Sequence, residues 1–490
     1  MRAFASRWTA VFALLLTLSA DAAHAATPFD PLLPLVPSDS NVLVLIDVER
    51  IRGSAIAKAQ KFSGEEPGDT DLSIIPAREV RQAVLAQKIR GFRESLRDWQ
   101  AAVLALEADP SLTGLAAEFG GSLDTIAGQE TVRLPNGGTA LSVAPRSLSV
   151  LAPFDRHRVG KFVALSKTSK PAPIDPFLST AAASMGLKTH VLVAMDLREM
   201  FSSSQILLYL REAKAFESRP MDLNAATRLA AGIRGMTLSL GFTDSVQGQL
   251  TLEFSGSTEG TSEWTKALLL ELFADMGATI EDLESWSFSR GDKSISLKGE
   301  LSLPGVRRVL TLIDFPTRIP QSALPNAELS DAERQKLTAR ATLERFKATE
   351  RLYLDLRNPA KTRQLTTAEY GLWYDKYARK IETLPTRLVD NDLLAWSDDL
   401  VLKLRVLSTK SRLVGIKAGA NSRSSNYVTN FFSTWYGGYY ETRQLESEFD
   451  YVQRVERASN AADKFALYEE IDRDTLAIRR QMTERYGIEF

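Results

Sequence analysis

The sequence predicts an α+β fold: two duplicated modules of antiparallel sheet with helices, followed by an all-α helical bundle. Three observations carry that reading. Continuous apolar, β-branched runs recur through the first two thirds of the chain and read as buried strands. One of them, "NVLVLIDVERI" at 41–51, is echoed by "HVLVAMDLREM" at 190–200. After "DFPTRIPQSALPNAE" the prolines thin out, and apolar residues return at helical spacing to the end of the chain. The boundaries expected are a signal peptide at 1–25, a first module at 26–170, a second at 171–325, and a helical domain at 326–490 with an aromatic and glycine loop at 421–442.

The first residues point to export. Arg2 and Arg7 give a positive start, "VFALLLTLSA" gives an apolar stretch too short for a bilayer, and "AHA" ending at Ala25 puts small residues where a signal peptidase cuts. The chain has no cysteine, so neither a disulfide nor a lipidated cysteine is expected, and stability must come from apolar cores. Lys plus Arg number 60 and Asp plus Glu 61, a balance that suggests no nucleic-acid partner. The expected location is periplasmic or extracellular, in free form after cleavage.

The repeat rests on three matched segments in the same order. Val42 aligns with Val191 at an offset of 149; "VLALE" ending at Glu107 aligns with "QLTLE" ending at Glu253, an offset of 146; "RVGKFVAL" ending at Leu165 aligns with "GVRRVLTL" ending at Leu312, an offset of 147. Offsets so close favour two sister modules packed together. In the second module "MTLSLGF" and "GQLTLEF" form a hairpin about Thr243–Ser245. "EWTKALLLELFADMG" then puts Leu268, Leu269, Leu272, Phe273 and Met276 on one helix face and closes on Gly277. "WSFSRGDKSISLKGEL" reads as a further hairpin turning at Arg290–Asp292. In the first module "QAVLAQKI" and "WQAAVLALE" alternate poorly, but their place in the repeat makes them strands. "PNGG" at 135–138 turns between two more, "SGEEPGDTDLS" at 63–73 is a loop, and "SKTSKPAPIDP" at 166–176 joins the modules. The sheet is expected to carry helices over one face.

In the last third, Ser330 with Glu333 and Thr366 with Glu369 have capping-box spacing and open helices. Four or five antiparallel helices are expected over 328–486. Tyr370, Trp373, Tyr374, Tyr377 and Ile381 make an aromatic stripe at i, i+3, i+4, i+7 and i+11, the pattern of a bundle core. Between helices, "NYVTNFFSTWYGGYYETR" concentrates seven aromatic residues in fourteen positions: Tyr427, Phe431, Phe432, Trp435, Tyr436, Tyr439 and Tyr440. Its glycine pair and lack of alternation make it a loop. Seven exposed rings, at ~150–250 Å² each, would exceed the apolar patch of an ordinary monomer, so the bundle itself, another copy or a partner must cover much of them, and these seven are the candidate binding residues. An envelope protein or glycan is the expected partner, and membrane contact is the weakest reading because no basic cluster flanks the rings.

Enzyme chemistry finds little support. Past the leader the histidines are His157 and His190, and no H-x-x-x-H pair, P-loop, G-x-S-x-G or G-x-G-x-x-G occurs. No catalytic residue, metal site or cofactor is expected. His157 reads as a solvated helix residue, and His190 stands where the first module has Asn41. Asp47 and Asp196, aligned at the ends of the repeated strands, could form a shared-proton pair of the aspartic-protease kind. Their surroundings, "DVE" and "DLR", lack the Asp-Thr/Ser-Gly signature, and a helix-capping role is preferred.

Together, "LVPSDSNVLVLIDVERIRGSAIAK", "DWQAAVLALEADPSL", "APFDRHRVGKFVALSK" and the final "IRRQMTERYGIEF" resemble an uncharacterised family of secreted bacterial proteins that open with a Pro-x-Asp segment. The resemblance implies compartment and architecture and no activity. The function expected is that of a non-enzymatic envelope protein, a binding or scaffolding element; the alternative is a hydrolase of envelope glycan or peptide.

Overall fold

The computed structural model describes residues 27–60, 79–89, 97–135, 137–168, 173–198, 200, 202–216, 222–259, 261, 264–275, 277–313, 330–362, 370–386, 388–419 and 464–490. The leader, the loop at 63–73, the Thr366–Glu369 pair and the aromatic loop fall outside these residues. Twelve strands form one antiparallel sheet: β1 (Val42–Asp47), β2 (Val80–Ile89), β3 (Arg97–Leu106), β4 (Ser122–Ile126), β5 (Gln129–Arg133), β6 (Thr139–Leu141), β7 (Ser147–Ala152), β8 (Val191–Asp196), β9 (Ile233–Phe242), β10 (Val246–Phe254), β11 (Ser287–Arg290) and β12 (Ser294–Leu301). The described helices are α1 (Val48–Gly53), α2 (Ala55–Ala59), α3 (Leu112–Phe119), α4 (Arg156–Ser166), α5 (Pro176–Ala183), α6 (Ser203–Glu212), α7 (Leu223–Ala231), α8 (Trp264–Asp275), α9 (Leu303–Thr311), α10 (Asp331–Thr362), α11 (Gly371–Thr383), α12 (Asn391–Gly419) and α13 (Lys464–Tyr486). The chain is thus an α+β unit followed by a helical region.

Strand order across the sheet is β11-β12-β10-β9-β8-β1-β2-β3-β7-β6-β5-β4. At its centre β1 and β8 run antiparallel with Val44 opposite Val193, and from that seam the order outward is β1-β2-β3-β7 on one side and β8-β9-β10-β12 on the other. The two strands read as repeats are therefore neighbours, and one sheet passes through both of the segments expected as modules. The ends of the seam are bonded alike. Asp47 N–H donates to the His190 carbonyl at 2.8 Å, and Asp196 N–H donates to the Asn41 carbonyl at 2.8 Å. Asn41 Oδ1 accepts Ile89 N–H at 2.8 Å, while His190 Nδ1 accepts Phe242 N–H at 3.1 Å. His190 and Asn41, different in chemistry, thus do one job, each tying the start of a seam strand to its outer neighbour.

Helices cover both faces, not the single face expected. The reason lies in β1, where all six residues are buried. Leu43 and Leu45 point one way, toward Phe29, Leu32, Val159 and Phe162 of α4 and Leu178 of α5. Val42, Val44 and Ile46 point the other way, into the larger core shared with α9 and the helical region. A strand without a polar phase needs both sides covered, at ~1.5–3 kcal/mol for each buried aliphatic side chain. The Pro-x-Asp segment seals one end: Asp39 accepts the Trp99 indole N–H at 3.1 Å. On the outer half of the sheet, Gly248 and Gly299 face each other on β10 and β12, and the indole of buried Trp286 lies over both, where either Cβ would stand.

The helical region packs as its periodicity predicts. Tyr370, Trp373, Tyr374, Tyr377 and Ile381 are all buried, as are Leu393, Leu400, Leu404, Leu467, Ile471 and Met482. Ser330 and Glu333 form their reciprocal cap. The region is joined to the sheet through α9. Arg307 makes a bidentate pair with Asp355 of α10, at 2.6 and 2.7 Å, with both side chains nearly fully buried. Arg308, 1 % exposed, pairs with Glu281, donates to the Asp355 carbonyl at 3.0 Å, and lies 5.0 Å from the Tyr370 ring centroid. Trp373 Nε1–H reaches the Thr279 carbonyl at 2.8 Å.

Two outcomes follow from these contacts. Asp355→Ala, which strands the Arg307 guanidinium in the core, should lower stability to unfolding by about 3–5 kcal/mol, whereas the paired change Arg307→Met with Asp355→Leu should recover much of it; chemical denaturation of the three chains measures both. The His190 imidazole is held at about 4, below its usual 6.5, chiefly by burial and next by the Arg50 charge. Its stabilising contribution is therefore full above about pH 6.5 and lost as pH falls toward 4, at most ~3 kcal/mol. His190→Asn, which copies Asn41, should flatten that part of the wild-type pH profile of melting temperature.

Candidate functional site: an apolar cavity beneath three helices

The second half of the sheet is not filled. Ile233, Met236 and Leu238 of β9 sit at an inner strand under helices, yet each is only half-buried. They and Leu250, Leu252 and Phe254 of β10 form the floor of a cavity of about 290 Å³. Its roof is α6, α7 and α8, with Ile206, Leu229, Leu268, Leu269, Leu272 and Phe273 pointing down. Trp286 and Trp373 close it toward the outer sheet and the helical region. One register row crosses six strands, Gln87, Val42, Met195, Met236, Leu252 and Ile295, and all of these but Met195 line the cavity. At ~4.8 Å per strand that row is ~24 Å long, more than the ~15 Å that one acyl chain contributes to a bilayer core.

Local sequence explains the roof. Ser202 and Gln205 make a reciprocal capping box at the start of α6, Asp222 caps α7 through the N–H groups of Asn224 and Ala225, and α8 ends where Gly277 takes φ +68°. The helices are then clasped by polar groups outside the cavity. The Glu271 carboxylate accepts the N–H groups of Lys214 and Ala215 at 2.7 and 2.8 Å, and Tyr209 O–H donates to Asp275 at 3.2 Å. Lys266 reaches back to the carbonyls of Glu284 and Trp286 at 2.7 and 2.6 Å.

No charged residue lines the cavity among the described residues; the polar liners are Gln87, Gln205, Tyr209 and Thr265. Such a space offers dispersion and shape to a ligand, with neither a nucleophile nor an acid–base pair. Among the described residues no group of three or more His, Asp or Glu is placed to hold a metal.

None of the sequence-derived candidates that is described lines the cavity. Tyr427, Phe431, Phe432, Trp435, Tyr436, Tyr439 and Tyr440 lie outside the described residues. Asp47 and Asp196 are not a pair: antiparallel register puts Asp196 beside Asn41, so six residues, or ~20 Å, separate the two acids. Asp47 accepts Arg50 N–H at 3.1 Å and caps α1, and Asp196 accepts Arg198 N–H at 3.0 Å. Burial raises the Asp47 carboxyl above its usual value. His157 is exposed on α4. What sequence reasoning missed is the cavity, although its main signal was present. The α8 stretch "ALLLELFA" carries leucine at 268, 269, 270 and 272, more apolar positions than one packed face uses.

No protein-family model matches the chain, and no curated protein matches it. Among solved structures it is similar to crystal form III of TP0453, with a TM-score of 0.34 and 14 % identity over 56 % of this chain and 95 % of that one. It is likewise similar to crystal form I of TP0453, with a TM-score of 0.33 and 13 % identity over 57 % of this chain and 95 % of that one.

Proposed function

We propose that this chain is a non-enzymatic binding protein that takes up one elongated lipophilic molecule between the sheet and α6–α8. The observation that carries the reading is a cavity of about 290 Å³ lined, among the described residues, by no charged side chain. Interiors normally pack to crystal density. A space left unfilled beneath the helices forgoes the dispersion contacts and apolar burial that a closed core would give. An apolar guest recovers that loss at ~0.8 kcal/mol per buried methylene, and the volume lies at the small end of ligand pockets.

Export through the leader supplies the setting, an envelope in which amphiphiles must be moved or held. Among the described residues no helix is long and apolar enough to cross a membrane. We also read the two flanks of the seam as descendants of one duplicated unit, supported by their matching strand succession and by the shared role of Asn41 and His190. The roof α6–α8 belongs to the flank of β8, while Val42, Val44 and Gln87 of the other flank line the seam end, so binding would draw on both halves.

The test is a fluorescence titration with N-phenyl-1-naphthylamine, an uncharged apolar probe. Saturable binding at one site is expected, and Met236→Trp or Leu268→Trp, filling the cavity from floor or roof, should weaken it at least tenfold while leaving the melting temperature unchanged or higher. Absence of saturable binding, or equal binding by the filled variants, overturns the proposal.

A further inference from the structure

Resting on that reading, we infer that the guest is an uncharged amphiphile whose polar head carries a hydroxyl-type donor, and that Gln87 receives it at the seam end of the cavity. Gln87 lies on β2 opposite Val42, in the phase of Ala83, Leu85 and Ile89, all of which belong to the apolar core. It is 4 % exposed, it lines the cavity, and its Oε1 has no hydrogen-bond partner within the protein. A buried carboxamide oxygen left unpaired is destabilising, so an apolar residue would serve the fold better at this position.

The other polar liners sort themselves by what they already bond. Gln205 Oε1 accepts Ser202 N–H at 3.2 Å, and Tyr209 donates to Asp275. Thr265, 7 % exposed, also has an unpartnered hydroxyl. It sits in the first turn of α8 beside Lys266, which is held to the carbonyls of Glu284 and Trp286, on the outer half of the sheet and away from β2. From Gln87 the floor row runs through Val42, Met236, Leu252 and Ile295 without another polar side chain, so a head seated at Gln87 sends its tail along aliphatic groups only.

Among the described residues no liner is charged, which favours an uncharged head. A carboxylate or phosphate carried into this space would lose its hydration with no cation to replace it, which disfavours ionised lipids strongly. A hydroxyl loses far less and regains a hydrogen bond by donating to Gln87 Oε1, which an alkane cannot do.

The experiment compares dodecane, 1-dodecanol and dodecanoate as competitors of N-phenyl-1-naphthylamine on the full chain, its Gln87→Leu variant and a Thr265→Val control. On the wild type at neutral pH, 1-dodecanol should compete best and dodecanoate worst, with dodecanoate gaining as pH falls and it becomes neutral. Gln87→Leu should weaken 1-dodecanol about tenfold, leave dodecane within about twofold, and keep or raise the melting temperature of the free protein. Thr265→Val should change none of these orders. If Gln87→Leu does not fold, Gln87→Met replaces it with the same expected outcome. Failure of all three competitors and of the probe on the wild type removes the cavity reading itself. Competition by dodecane and 1-dodecanol that Gln87→Leu leaves unaltered, or weakens equally, keeps the cavity and overturns the head-group assignment. So does a loss of alcohol preference on Thr265→Val alone.

Discussion

The pairing of β1 with β8 is the constraint on which the molecule is built. Each of these strands is apolar on both phases, so neither can stand at an edge or face water, and each finds in the other an antiparallel partner with the same need. Once they pair, Leu43 and Leu45 must be covered by α4, α5 and the opening segment, and Val42, Val44 and Ile46 by the helices that come later in the chain. The long sheet and its two cores are consequences of that one requirement.

The larger core then divides its work. Toward α9 it is closed by charge and aromatic rings together, with Arg307 and Arg308 held against Asp355, Glu281 and Tyr370. That joint fixes the helical region and, through Trp373 and the Thr279 carbonyl, one wall of the cavity. Toward α6–α8 the same core is left open, and the helices there are fastened to one another through Glu271, Asp275 and Tyr209. These clasps bind the roof helices to one another, and Lys266 ties α8 to the carbonyls of Glu284 and Trp286.

Much of this architecture was legible in the residues. "VLVLIDV" and "VLVAMDL" declared buried strands, and the repeat made strands of "QAVLAQKI" and "WQAAVLALE" although alanine and leucine favour helix. The Tyr370–Ile381 stripe and the Ser330–Glu333 cap read true because both depend on neighbours within a few residues. Periodicity reports which side of an element is apolar and not whether the opposing surfaces meet, so the leucines of α8 looked like ordinary core. Helices on both faces followed from the lack of a polar phase in β1, a clue outweighed by the hairpins of the second half. Gln87 did leave a mark, as a polar residue interrupting the apolar phase Ala83-Leu85-Ile89.

The glycine pair beneath Trp286 has a consequence for how the chamber keeps its size. The indole can lie flat only because Gly248 and Gly299 offer it a bare patch of backbone, with its N–H tied to the Glu300 carbonyl at 2.9 Å. A methyl group on either glycine would meet the indole at 2.4 Å and lift the ring away from the sheet. The shape of the chamber is therefore gauged by two positions outside its lining, where a single added carbon atom on the far side of an aromatic plate would displace one of its walls.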